Sequence, residues 1–73
     1  MEDKVDFIGY DLEEKKDVKT KEDCCNVCAR KEGCTFFSYK QHQEKCWLKT
    51  SDAGRKANDE AVSGSVDCCK GNN

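Results

Sequence analysis

Thr20-Lys21-Glu22-Asp23-Cys24-Cys25-Asn26-Val27-Cys28-Ala29-Arg30-Lys31-Glu32-Gly33-Cys34 is the stretch from which the rest of the chain can be placed. Thr20 is an N-cap type residue with acidic Asp23 three positions on, and Glu22 and Asp23 put negative charge where a helix dipole favours it. Neither Gly nor Pro interrupts Lys21–Glu32, Arg30 and Lys31 fall in the last turn, and Gly33 stands where a left-handed residue would end the helix. A helix is therefore predicted over Lys21–Glu32. On it Cys24, Val27, Cys28 and Lys31 recur at i, i+3, i+4 and i+7, so the stripe to be buried is written in cysteine rather than leucine, with Cys25 and Ala29 on its neighbouring edge.

Toward the C-terminus, Thr35-Phe36-Phe37-Ser38-Tyr39 is dense in β-formers and Cys46-Trp47-Leu48 repeats the pattern across the polar segment Lys40–Lys45, which predicts an antiparallel hairpin. Phe37 and Trp47, beside cysteines on strands, read as core. Ser51–Glu60, with Gly54 and Asn58, reads as a polar loop, Ala61–Val66 as a last strand, and Lys70–Asn73 as a frayed tail. Toward the N-terminus, Val5-Asp6-Phe7-Ile8, closed by Gly9, reads as a first strand that tucks Val5 and Phe7 inward. Tyr10–Lys19 is dominated by charge and reads as an irregular surface connection pinned at Leu12 and Val18, with room for a short strand near Val18. The expected fold class is α+β: a single central helix packed on a twisted antiparallel sheet, with the hairpin in the sheet, terminal strands alongside and disulfides as staples.

A chain of 73 residues is one module, without room for a second core or a cleft between domains. With 38% charged and only 36% hydrophobic residues, cysteine included, and a mean hydropathy of −0.98, the composition would suit a disordered tail. Seven cysteines overturn that reading. Ordering costs about 1.5 kcal/mol per residue, which so thin an apolar core scarcely offsets without covalent staples. No window approaches the 18 apolar residues of a membrane span, and Met1-Glu2-Asp3-Lys4-Val5 has no signal-peptide character. A disulfide framework belongs in an oxidising compartment, so residues 1–73, ordered over about 5–69, are expected to be one module excised from a longer secreted chain, with Met1 artificial. The 13 basic and 15 acidic side chains are interleaved and sum to −2, which argues against nucleic acid, membrane insertion or an anionic-membrane footprint.

Seven cysteines allow three bridges and one leftover. Adjacent Cys24 and Cys25 on a helix point about 100° apart and must reach different partners. Cys28 and Cys34 can close a tight local loop, and Cys24, one turn back, can reach the Cys46 strand, which leaves Cys25 for Cys68 or Cys69. The run Cys24-x3-Cys28-x5-Cys34, then Thr35–Tyr39, then Cys46-Trp47-Leu48-Lys49, then Val62-Ser63-Gly64 before a final cysteine resembles the PAN/apple module, from about Phe7 to Cys69. The doubled Cys24-Cys25 and the Cys-Trp-Leu-Lys run most resemble apple modules of apicomplexan microneme adhesins. The amino-terminal cysteine of coagulation-factor apple domains is absent. The resemblance implies Cys24 with Cys46 and Cys28 with Cys34. Cys25 with Cys68 is the favoured third bridge, Cys69 being its alternative, or else spare or bonded to a neighbouring module.

Other chemistries fit less well. Cys24, Cys28, Cys34 and His42 offer zinc ligands, but the scattered Cys34 and His42 do not make the second pair that structural zinc takes, so no metal or other cofactor is expected. His42 among Gln41, Gln43 and Glu44 reads as a solvated turn residue. With the thiols committed and no base held against a nucleophile, no enzymatic activity is expected. Glu13-Glu14 and Asp59-Glu60 read as solvated carboxylates. The resemblance implies extracellular recognition: a repeated adhesive module, secreted and stored in an organelle such as the micronemes, that binds host-cell surface glycan or protein during attachment and invasion. Candidate contacts lie on polar edges of the frame, at Lys40, His42, Lys45, Lys49, Arg55 and Lys56. The alternatives are a protein–protein assembly or spacer module that docks neighbouring modules, and a small inhibitor using the Ser51–Glu60 loop.

Overall fold

The structure, a computed structural model, describes residues 1–69, with side chains through Asp67. The side chains of Cys68 and Cys69, and the tail expected to fray, lie outside the described residues. In chain order the elements are β1 (Glu2–Phe7), β2 (Asp11–Lys15), α1 (Lys21–Arg30), β3 (Phe36–Lys40), β4 (Lys45–Lys49) and β5 (Arg55–Ser65), followed by a 3₁₀ turn at Val66–Cys69. The five strands form one antiparallel sheet in the order β1-β5-β3-β4-β2. This is the α+β arrangement of one helix on one sheet.

Helix α1 begins as its capping signal predicts. Thr20 is extended, and its Oγ1 accepts the Asp23 N–H at 3.0 Å, satisfying one of the free donors of the first turn. The helix ends at Arg30, two residues earlier than predicted. Lys31 swings to extended backbone, its N–H still reaching the Cys28 carbonyl, and the Cys34 N–H closes a turn onto the Lys31 carbonyl at 3.0 Å, with Gly33 at φ +87°. That reversal brings Cys34 back over the helix, and Cys28 and Cys34 are bonded at a Cα separation of 5.3 Å. One turn earlier Cys24 is bonded to Cys46 of β4 at 5.4 Å. Cys25 is also disulfide-bonded. Cys24, Cys25 and Cys28 are buried, whereas Ala29 and Lys31 are exposed.

The core between helix and sheet joins these cysteines to Val18, Phe37, Tyr39 and Leu48. The opposite face of β3 is covered too. β5 runs beside β3 from Ala61 to Ser65, while Arg55–Ala57 pair with Val5–Phe7; on the β1 side residues 58–61 are opposed by Lys4 alone, and such a bulge bends a strand. Phe7 packs edge-on against Phe36 at 5.7 Å between ring centres. A chain of hydroxyls seals the contact: Ser38 Oγ accepts the Phe7 N–H at 3.1 Å, and Ser63 donates to the Val5 carbonyl at 2.6 Å. Since that uses the only proton of Ser63, Ser38 donates to Ser63 Oγ at 2.8 Å.

Four expectations are corrected. Asp11–Lys15, read as irregular, is edge strand β2, paired with β4 as Glu13 with Leu48, Glu14 with Trp47 and Lys15 with Cys46. Its side chains meet water, so it lacks the alternation that marks a half-buried strand; Leu12, expected to pin the segment, is 40% exposed. The last six residues of the expected Ser51–Glu60 loop belong to β5, Arg55–Ala57 being paired with β1, which leaves 51–54 as the part of that segment still free to serve as an inhibitory loop. The first strand covers Glu2–Phe7, leaving Ile8 52% exposed. Trp47, read as core, is half-buried on the face away from the helix, with Lys40 Nζ 5.2 Å from its ring centre.

Candidate functional site

A concavity of about 850 Å³ opens where the N-terminal end of α1, the β3–β4 turn, β1 and the bulge of β5 converge. Buried Tyr39 and Ala61 close its depth. Its rim carries Lys4, Lys19, Lys21 and His42 as cationic or titratable groups, and Asp3, Glu22, Asp59 and Glu60 as carboxylates. Lys4 reaches the rim from a backbone at φ +63°, on the β1 side of the register shift.

Tyr39 is held by its hydroxyl, which donates to the Val18 carbonyl at 2.7 Å. Burial, reinforced by the nearby Glu44 and Asp23 carboxylates, raises its phenol above the ordinary value. Lys19 Nζ lies 2.9 Å from Glu44 Oε1, a hydrogen bond that raises the Lys19 ammonium and ties the start of the helix to the turn. The Thr20 oxygen is spent on capping, and the five cysteines with described side chains are disulfide-bonded. Among the described residues no cluster of three or more His, Cys, Asp or Glu could hold a metal ion. The groove is a mosaic of both charge signs around an aromatic edge, chemistry suited to recognising a polar surface.

Of the six candidate contacts, only His42 lines this groove, and it is exposed. Lys40 sits behind the sheet, 3.7 Å from Asp6 Oδ2 and over Trp47. Lys45 lies 3.2 Å from Glu14 on the neighbouring strand. Arg55 forks onto Glu2, which holds the Glu2 carboxyl below the ordinary range and raises the guanidinium. Exposed Lys56 of β5 stands opposite Asp6 of β1. Lys49 is only 3% exposed, and its ammonium donates to the Gly9 carbonyl at 3.1 Å and to Asp11; it is a buried post rather than a presented contact. Sequence reasoning missed Lys4, Lys19, Lys21 and Tyr39. The capping signal located Lys21, but nothing local showed that residues so far apart in sequence would share one rim.

A family model described as the PAN domain matches residues 3–72. No curated protein matches the chain. Among solved structures it is similar to the solution ensemble of the two N-terminal apple domains of Toxoplasma gondii microneme protein 4, at a TM-score of 0.74 and 26% identity. The likeness covers 86% of this chain and 42% of that one, so the chain spans less than half of its solved relative.

Proposed function

The chain belongs to the PAN domain family, in the apple form seen in a microneme protein, and from that premise we propose that it is an extracellular adhesive module that binds host-cell surface protein or carbohydrate during parasite attachment and invasion. The observation that carries this reading is the 26% identity, over 86% of the chain, to apple domains of a microneme protein. PAN/apple domains are binding modules rather than enzymes. A stapled helix-on-sheet frame with a charged groove supports the reading, because rigid scaffolds with polar edges commonly carry recognition. On this reading residues 1–73 are one module of a secreted protein, held in micronemes before release, and tandem copies turn weak contacts into avidity.

One observation favours a second reading. The solved relative holds two apple domains in one chain, and modules so joined can serve assembly or spacing without touching the host. The test is binding of the oxidised module, as monomer and clustered on beads, to a glycan array and to host cells before and after enzymatic deglycosylation. Adhesion predicts cell binding by clustered modules that exceeds monomer binding. Loss on deglycosylation identifies a glycan ligand, and survival a protein. Absence of cell binding by either form overturns adhesion in favour of assembly.

A further inference from the structure

A second concavity, about 460 Å³, lies between β2 and the C-terminal half of α1 and shares no residue with the first. Val18, Val27 and Leu48 are its apolar groups. Val18 and Leu48 are buried, and Val27 packs on the core while staying partly exposed. The charged lining is Lys15, Lys16, Arg30 and Lys31 against the single carboxylate of Glu13. Glu13 is already shared, 2.8 Å from Lys15 and 3.3 Å from Lys31. Lys16 and Arg30 form no ion pair among the described residues. The cleft thus concentrates an excess of three positive charges in a chain whose net charge is −2. Along its border β2 is the last strand of the sheet, with no described strand beyond it.

We propose that this cleft binds an acidic peptide segment of a protein partner, an extended chain that lays an aliphatic side chain on Val27, above the buried Val18 and Leu48, and sets flanking carboxylates against Lys16 and Arg30. Three features select that ligand. A cationic rim around an apolar floor matches carboxylates flanking a hydrocarbon side chain, and charge complementarity of this kind gives specificity and fast association. The apolar lining is wholly aliphatic, with no aromatic ring to stack on a sugar. The open edge of β2 offers main-chain groups with which an extended peptide can pair, as in strand addition to a sheet.

The test uses the oxidised module and a fluorescein-labelled eight-residue peptide alternating glutamate and leucine, followed by anisotropy and by NMR shifts of the module. Polyglutamate, an alternating lysine–leucine peptide and a sulfated oligosaccharide serve as comparisons. The expected result is shifts of the Val18, Val27 and Leu48 methyls and of the β2 amides, with affinity that falls as salt rises. Reversing charge in K16E/R30E is expected to weaken binding about tenfold or more. Both side chains are exposed and unpaired, and the variant's own amide spectrum reports whether it folds; if it does not, the neutral K16Q/R30Q takes its place, with a smaller loss in the same direction. The proposal is overturned if no peptide binding is seen, if the shifts map elsewhere, or if charge reversal in a folded variant leaves affinity unchanged. It is equally overturned if polyglutamate or the lysine–leucine peptide binds as tightly, or if only the sulfated oligosaccharide occupies the cleft.

Discussion

Lys49 shows how one side chain changes meaning between the linear chain and the folded one. At a strand end it reads as a solvated cation, yet it lies beneath the β1–β2 connection, where its ammonium bonds to the Gly9 carbonyl and Asp11 while the Thr50 N–H reaches the Tyr10 carbonyl at 3.0 Å. Tyr10 there is held at φ +58°, a conformation that costs a non-glycine residue about 1–3 kcal/mol and persists only under external constraint. Lys49→Met, which keeps the length and removes the donor, is expected to lower unfolding stability by about 1.5–3 kcal/mol, the range for hydrogen bonds to charged groups. Urea unfolding checks this, and Lys56→Met, on an exposed side chain, is the control expected to change little. Tyr39 carries a pH signature. Because burial raises its phenol, the stability tied to its neutral form is full below the ordinary phenol value of about 10 and is lost as the pH climbs through the raised folded value. With free thiols alkylated, urea midpoints at pH 8 and pH 11 are expected to fall further apart for the native chain than for Tyr39→Phe.

Among the elements, β1 and β2 owe their places to partners rather than to their own residues. β2 carries Asp11, Glu13, Glu14 and Lys15. Charges of this kind erase the period-two signal of a strand. β1 is tied across the sheet by Ser38 and Ser63, buried serines whose hydroxyls form one donor chain between the Phe7 N–H and the Val5 carbonyl. Ser38→Ala leaves the Phe7 N–H without its acceptor and is expected to cost about 1–3 kcal/mol. Because both serines belong to one chain of bonds, the double variant Ser38→Ala, Ser63→Ala is expected to cost less than the sum of the two singles. A thermodynamic cycle of urea unfolding energies measures the difference. Hydropathy reads either serine as a surface residue. Only the crossing of β1 over β3 shows that both are buried.

For the whole molecule, the cysteines stand where a larger protein would carry leucine. The Cys24–Cys46 bond closes a sequence separation of 22 and joins helix to sheet, whereas Cys28–Cys34 closes 6 and joins the helix to its own exit turn. Loop-closure entropy favours the longer link by about 1 kcal/mol. Replacing Cys24 and Cys46 with alanine is therefore expected to destabilise more than replacing Cys28 and Cys34, and full reduction to unfold the module. Unfolding curves and near-ultraviolet dichroism report both. The sequence by itself determined the start of α1 at the Thr20 cap, the β3–β4 hairpin, the α+β class and the family likeness. Each rests on caps, periodicity and spacing, which act within a few residues or a few turns. Only the tertiary structure decided that Asp11–Lys15 and Arg55–Glu60 are strands, that Lys49, Ser38 and Ser63 are buried, and that two clefts flank the helix. Edge strands are made by the neighbour that supplies their hydrogen bonds, and a cleft is the space left between elements. Both depend on which distant segments lie side by side, a relation that no local pattern of side chains encodes.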